Sequence, residues 1–350
     1  YWNTSADGER WHKEIISETG SHNIKVLDYD NDGDLDIFGA NWTGPDQGVM
    51  LWENTSQKKS DVRWRRHVID PEKPWTSVFV MIADMDGDRL EDIISGGWWY
   101  RNPGTIQGEW QRNTFGGDIN NVALIHDFDN DGDVDVFAST WKGLDNSRQQ
   151  PEGRLAWGRN DGSGQFSAMH NIEPGDGDFL QGAALFEEQN MIALSWHETG
   201  RGLQAITVPE KLYQDTWKRR VISTDSQDEA LSVADIDGDG DSDLILGTRW
   251  LRNEKWHQWT PFEIHKATEN PDRNRMADLN GDGRLDLVVG YEAISRLGKL
   301  AWYKSGDDPT RLWTEHVIKQ LVGPMSLDVA DMDNDHDLDI VVGEHNLENP

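Results

Sequence analysis

The sequence predicts an all-β fold, a seven-bladed β-propeller with four-stranded blades. Three observations predict it: an acidic loop that recurs in one register, four strand-like runs in each repeat, and chain ends that complete one another. The loop is clearest at Asp28-Tyr29-Asp30-Asn31-Asp32-Gly33-Asp34-Leu35-Asp36, followed by Ile37-Phe38-Gly39-Ala40. Carboxylates on alternate residues, with a glycine at the sharp turn, have the ligand spacing of a calcium loop. An EF-hand would continue into a bidentate glutamate and a helix. Apolar, β-prone residues follow here, so the loop feeds a strand.

The oxygen donors of the first loop are Asp28, Asp30, Asp32, Asp34 and Asp36. The pattern returns at Asp84, Asp86, Asp88 and Asp92, and at Asp127, Asp129, Asp131, Asp133 and Asp135. It returns again at Asp235, Asp237, Asp239, Asp241 and Asp243, then at Asp278, Asn280, Asp282 and Asp286. The last copy is Asp331, Asp333, Asp335, Asp337 and Asp339. The interval from Asp127 to Asp235 is two periods, so one repeat has lost its loop. A period of ~50 residues is the mark of an array or propeller. Arg89 and His336 stand where the other loops have glycine, at a position that wants a positive φ.

Each repeat carries four runs. In the first, run A is 23–27, run B is 35–40, run C is 49–53 and run D is 64–69. The Trp-x-x-x-x-Ile of run D recurs from Trp11, Trp217, Trp259 and Trp313. Run C recurs around Trp2, Trp99, Trp157 and Trp302. Four short strands with periodic aromatics describe a propeller blade, and most of the 18 tryptophans are expected in packing between blades. The odd repeat has the short turn Glu187-Glu188-Gln189-Asn190 in place of a loop. The expected units are 20–70, 76–116, 119–172, 178–222, 227–266, 272–318, and 324–350 completed by 1–16, all in one domain. The last repeat ends after runs A and B, and the chain opens with runs C and D, so the N-terminal pieces should finish the last blade.

Composition narrows the classes. The net charge is −31, and much of the excess carboxylate lies in the loops. Nucleic-acid binding needs a basic footprint, which is missing. The chain has no cysteine, so disulfides and thiolate metal sites are excluded. No apolar run reaches the ~18 residues of a membrane span. The opening at Tyr1 reads as a mature or trimmed chain. Calcium loops of this type favour a secreted, periplasmic or cell-surface setting.

The loops followed by Leu-Asp-Ile-Val-Val-Gly runs resemble the FG-GAP/VCBS propeller repeats, also found in integrin α-subunit heads. The resemblance covers essentially the whole chain and implies structural calcium at up to six sites. It leaves function open, because similar propellers serve as lyases, lectin-like modules and adhesion proteins.

Calcium loops join run A to run B and so share one end of the ring. Residues just before A and just after B should converge at the other end. They differ from repeat to repeat, which suggests one central site. His22, His197 and His345 are candidate acid–base groups or ligands of a second divalent metal on the axis. Arg249 and Arg273 are candidates to neutralise a uronate carboxylate, and Tyr291 is a candidate acid. Asn23, Trp42, Asn121, Lys142, Gln181, Glu198, Arg201, Glu229, Asn274, Glu292 and Glu344 are candidate substrate contacts. Local salt bridges are the alternative for the cations, and core packing for the tryptophan.

The leading expectation is a secreted, monomeric, carbohydrate-active lyase that acts by β-elimination on an acidic poly- or oligosaccharide. Glycoside hydrolysis by two of the glutamates, a metal-assisted sugar dehydration, and a non-catalytic glycan- or protein-binding module are the rivals.

Overall fold

The computed structural model describes residues 1–18, 21–41, 48–55, 63–73, 77–140, 153–177, 180–196, 202–224, 230–254, 258–291 and 298–344. Two short strands, β1 (Trp2–Asn3) and β2 (Trp11–His12), open the chain. The first blade is β3 (Asn23–Leu27), β4 (Asp36–Ala40), β5 (Val49–Asn54) and β6 (Trp64–Asp70). The second is β7 (Val80–Ala83), β8 (Asp92–Ser95), β9 (Trp98–Arg101) and β10 (Gln111–Thr114). The third is β11 (Ile119–His126), β12 (Asp135–Thr140), β13 (Leu155–Asn160) and β14 (Phe166–Met169). The fourth is β15 (Leu180–Phe186), β16 (Met191–Trp196), β17 (Leu203–Thr207) and β18 (Lys218–Ser223). The fifth is β19 (Leu231–Ala234), β20 (Asp243–Leu246), β21 (Arg249–Asn253) and β22 (Trp259–Glu263). The sixth is β23 (Pro271–Ala277), β24 (Asp286–Tyr291), β25 (Gly298–Lys304) and β26 (Thr314–Val322). The chain closes with β27 (Pro324–Ala330) and β28 (Asp339–Glu344).

Among the described residues six four-stranded blades form, not the seven expected. The remaining strands make two two-stranded sheets, β1–β2 and β27–β28. The physical reason is that these strands come from opposite ends of the chain. They meet through the Tyr1 ammonium donating to the Ile340 carbonyl at 2.8 Å and the Ile340 amide donating to Tyr1 at 3.0 Å. Two bonds do not extend into a ladder.

All blades are antiparallel meanders, and burial grades across them. The second strands β4, β8, β12, β16, β20 and β24 are buried throughout. Both of their faces meet a neighbouring blade, so they read as continuous apolar runs rather than alternating ones. The fourth strands form the outer edge, where β10 is polar and largely exposed and β6 exposes Arg65 and Arg66, which discourages edge-to-edge pairing. Apolar clusters fill the spaces between neighbours. Phe38 and Leu51 of the first blade meet Ile93 and Tyr100 of the second, and Trp157 of the third stacks on Trp217 near the fourth.

First strands neighbour first strands: β3 lies beside β7, β11 beside β15, β15 beside β19, β19 beside β23, and β27 beside both β23 and β3. The Val122 amide donates to the Gly96 carbonyl at 2.9 Å between the second and third blades. First strands therefore line the axis. The fourth blade replaces its loop with the 3-10 turn Glu187–Gln189, and Asn190 takes a left-handed conformation to end it.

Candidate functional site

The acidic loops lie at one end of the first strands. In the first loop, Asp28 accepts the amides of Asp32 and Gly33 at 3.1 and 3.0 Å, which folds the loop round its own first carboxylate. The ninth residue is different. Asp36 is buried and accepts the amides of Tyr29 at 3.2 Å and Asn54 at 2.7 Å, tying the loop to the third strand. Asp92, Asp135, Asp243 and Asp286 repeat this with Asn102, Asn160, Asn253 and Ser305. Asp339 does so with Asn3, at 2.8 Å, so the N-terminal strand supplies the same partner from the far end of the chain.

Burial pushes the Asp36 carboxyl up to about 8, and Asp92, Asp135, Asp243 and Asp339 up to about 7. Burial and then the charge of Asp32 push Asp34 up to about 6. Such loops are short of positive charge.

Five of the loops gather three carboxylates whose oxygens lie within 4.8 Å of one another: Asp28, Asp30 and Asp32; Asp84, Asp86 and Asp92; Asp127, Asp129 and Asp135; Asp235, Asp237 and Asp239; and Asp331, Asp333 and Asp339. Among the described residues, Oδ1 of Asp34, Asp86 and Asp129 are buried and accept no hydrogen bond. Hard, anionic oxygens at this spacing fit a divalent cation of the calcium type, which would take the oxygens of positions one and three with position five in two loops and position nine in three. The loop at 278–286 is not among these groups. It has Asn280 for a carboxylate, and its Arg284 pairs with Asp282 at 2.8 Å.

The third strand also decides how much charge each loop keeps. Arg101 reaches Asp86 and Asp88 at 2.7 and 3.1 Å, and Arg159 reaches Asp129 and Asp131, both at 2.8 Å. The first blade has Glu53 at that place, and it pairs outward with His67 at 2.6 Å.

At the opposite end the site residues named from the sequence are largely engaged with neighbouring blades. Asn23 is buried and donates to the Ser77 carbonyl at 2.8 Å. The half-buried His22 holds its Nδ1 3.1 Å from the Asn23 amide nitrogen. Asn121 donates to the Leu180 carbonyl at 3.4 Å, which brings it beside Gln181. Asn274 donates to Ala230 at 3.1 Å and accepts from the Ser232 hydroxyl. Arg273 is buried and pairs with Asp272 at 2.6 Å.

The others stand apart from this ring. Arg249, on the third strand of its blade, lies 3.6 Å from Glu263 on the fourth. Tyr291 is fully buried, with its hydroxyl against that of Tyr303 and the Lys299 ammonium 4.7 Å from its ring centre. Burial raises the Tyr291 phenol's pKa. Glu344 pairs with Lys13 at 2.7 Å. Trp42, Lys142, His197, Glu198, Arg201, Glu229, Glu292 and His345 lie outside the described residues.

Two polar atoms at this end stand out. Asn121 Oδ1 and Gln181 Oε1 are buried acceptors with no donor among the described residues. A buried, unpaired acceptor costs about 1–3 kcal/mol. The sequence had also passed over three charged residues midway along first strands, Lys25, Arg275 and Asp328. Asp328 lies 3.7 Å from Lys25 and 3.0 Å from Arg275. Their shared register, each three residues ahead of a loop, was the available signal.

Fold and site together define a propeller that gathers carboxylate loops at one end and unlike polar residues at the other. The sequence profile of the FG-GAP-like repeat matches residues 28–95 and 278–342, and these two stretches are FG-GAP-like repeats. No curated protein matches the chain. Among solved structures, BBS1N in complex with ARL6DN, soaked with mercury, superposes with a TM-score of 0.51 at 10% identity, over 93% of this chain and 91% of that one. The same complex soaked with lead gives 0.50 at 12% identity, over 94% of each chain. Identity this low shows a common fold and nothing further. Among the described residues no helix is long and apolar enough to cross a membrane.

Proposed function

We propose that this protein is a secreted, calcium-stabilised propeller that takes an acidic saccharide at the mouth opposite its loops. The observation that carries this is the pair of buried acceptors, Asn121 Oδ1 and Gln181 Oε1, which await hydroxyl donors. A sugar offers several hydroxyl donors, and cations on the axis suit an acidic one. The whole chain acts as one closed domain in this reading. The pairs β27–β28 and β1–β2 serve as a composite seventh unit, and Asn3 bound to Asp339 supports it.

Titration calorimetry with oligosaccharides of uronic acids tests the proposal. Binding is expected, and Asn121→Ala or Gln181→Ala should weaken it by roughly tenfold, the loss of one buried hydrogen bond. Failure of every acidic oligosaccharide to bind would end it.

A second reading adds chemistry, β-elimination from a uronate. The imidazole of His22 at the mouth favours it, because Asn23 positions one ring nitrogen and a base near neutrality suits removal of the C5 proton. An unsaturated product, seen by its ultraviolet absorbance and lost in His22→Ala with binding retained, is the expected result. Binding without that absorbance leaves a non-catalytic module.

A further inference from the structure

We propose that the axis holds an anion between Lys25 and Arg275, over the half-buried carboxylate of Asp328. The inference rests on the acidic-saccharide reading and names the group that the mouth admits. The three residues sit on three successive first strands, β3, β23 and β27, each three residues ahead of the first aspartate of its loop, Asp28, Asp278 or Asp331. Equal register puts them at one depth. Contact across three strands puts them on the side the strands share, which is the axis.

The contacts leave donors over. Asp328 Oδ1 accepts from Arg275 Nε at 3.0 Å, while Oδ2 accepts from the Val26 amide at 3.2 Å and lies 3.7 Å from the Lys25 ammonium. Arg275 gives Nη1 to the Asn274 carbonyl at 2.9 Å. Among the described residues Arg275 Nη2 has no acceptor, and the Lys25 ammonium has only its long contact. The Asp328 side chain is 14% exposed, whereas Lys25 and Arg275 keep 33% and 31%. The carboxylate is covered and the cations still face open space.

Two cations about one carboxylate leave a local excess of one positive charge in a chain of net charge −31. The strain falls on Lys25, whose pKa is lowered by burial and then by Arg275, against the pull of Asp328. A second anion, seated between the ammonium and Nη2, relieves it. Elsewhere round the axis the same register carries the uncharged Met81, Leu124 and Ser232, so one anion fits rather than a ring of them.

The depth selects the ligand. The cradle lies two residues inside the level of Asn23 and Arg273, on the order of 7 Å at strand rise. A carboxylate or sulfate that ends a chain, or a free monoanion, reaches it. A charge in the middle of a rigid polymer does not.

Calorimetric titration of the full chain in calcium, at constant ionic strength against chloride, provides the test, with sodium sulfate and free galacturonate as probes. Both should bind. Lys25→Met should weaken them roughly tenfold, the worth of one charge-assisted hydrogen bond, without changing the melting temperature in chloride. Asp328→Asn should tighten them several-fold by removing the competing carboxylate. If that variant does not fold, Lys25→Met decides. No binding of either probe, or equal binding by Lys25→Met and the parent, overturns the cradle. The two proposals separate cleanly. Acidic oligosaccharides that bind Lys25→Met at full strength would remove the cradle and leave the mouth. Sulfate binding that depends on Lys25, with no oligosaccharide binding, would leave the cradle and remove the saccharide.

Discussion

The loops at 28–36 and 127–135 have the same ligand pattern and opposite charge balance. At the third position burial, and then the charge of Asp32, raise the pKa of Asp30, with Glu53 adding to it. At the same position of the other loop burial also pushes Asp129 up, but hydrogen bonds from Tyr213 and Arg159 outweigh it and hold the carboxyl low. Arg159 spans Asp129 and Asp131, and Glu53 does the reverse for its own loop. Equal motifs therefore do not imply equal need of a cation. The neighbouring strand supplies part of the neutralising charge or withholds it.

The largest effect should come from what the two loops share. Asp36→Ala and Asp135→Ala each strip two buried amides of their acceptor, which should cost roughly 2–4 kcal/mol in urea unfolding. Equal losses would confirm that the ninth residue is a structural clamp whatever the loop charge. A difference above ~1 kcal/mol would mean that charge balance reaches into the clamp as well.

Next come the substitutions that exchange the balance. Glu53→Gln should weaken calcium at 28–36 by roughly tenfold, and Arg159→Met should strengthen it at 127–135 by a similar factor, the scale of one charge near a divalent ion in a water-like medium. Calorimetry with calcium should then show one site leave the tight class, or one join it. Unchanged site classes in both variants would break the comparison.

Acidity gives a graded effect. The ninth-position carboxyls rise from about 3.9 in the unfolded chain to between about 6, for Asp286, and about 8, for Asp36. The folded chain holds these protons more firmly. The stability this adds is complete below about pH 4 and is lost as pH climbs through the folded values. In excess EDTA the melting temperature should fall between pH 5 and 8. Calcium favours the ionised loops and should flatten that fall. A melting temperature that rises with pH in EDTA would contradict the assignment.

Much of this was legible from spacing alone. The six loops, the missing one at Glu187, and the third-strand asparagines repeat, and repetition marks backbone geometry. Arg159 and Glu53 were harder to weigh, since a charge before an asparagine gives no hint of which carboxylate it will face. The blade count failed at the one unit built from both chain ends, where local pattern cannot say how many bonds will join strands more than three hundred residues apart. Lys25, Arg275 and Asp328 lie mid-strand, away from the strand ends where loops usually place function. Arg273 looked like the working cation until Asp272, its neighbour in sequence, proved to be its partner.

The smallest effect concerns the sixth position. Gly33 and Gly132 have φ of +93° and +97°, while Arg89 and His336 take +71° and +79° without glycine's freedom. A left-handed residue with a Cβ is strained by roughly 1–2 kcal/mol, and glycine gives back about 0.5–1 kcal/mol through its larger unfolded entropy. Arg89→Gly should therefore stabilise by about 0.5–1 kcal/mol in urea unfolding. Gly33→Ala should cost about the same. A Cβ there would meet nothing within 4 Å, so the cost is conformational only. Measured in EDTA and again in calcium, the two changes should mirror each other. If the Gly33 loss grows in calcium while the Arg89 gain does not, cation binding pulls on the backbone at 28–36 more than at 84–92, as Glu53 and Arg101 on their third strands would require.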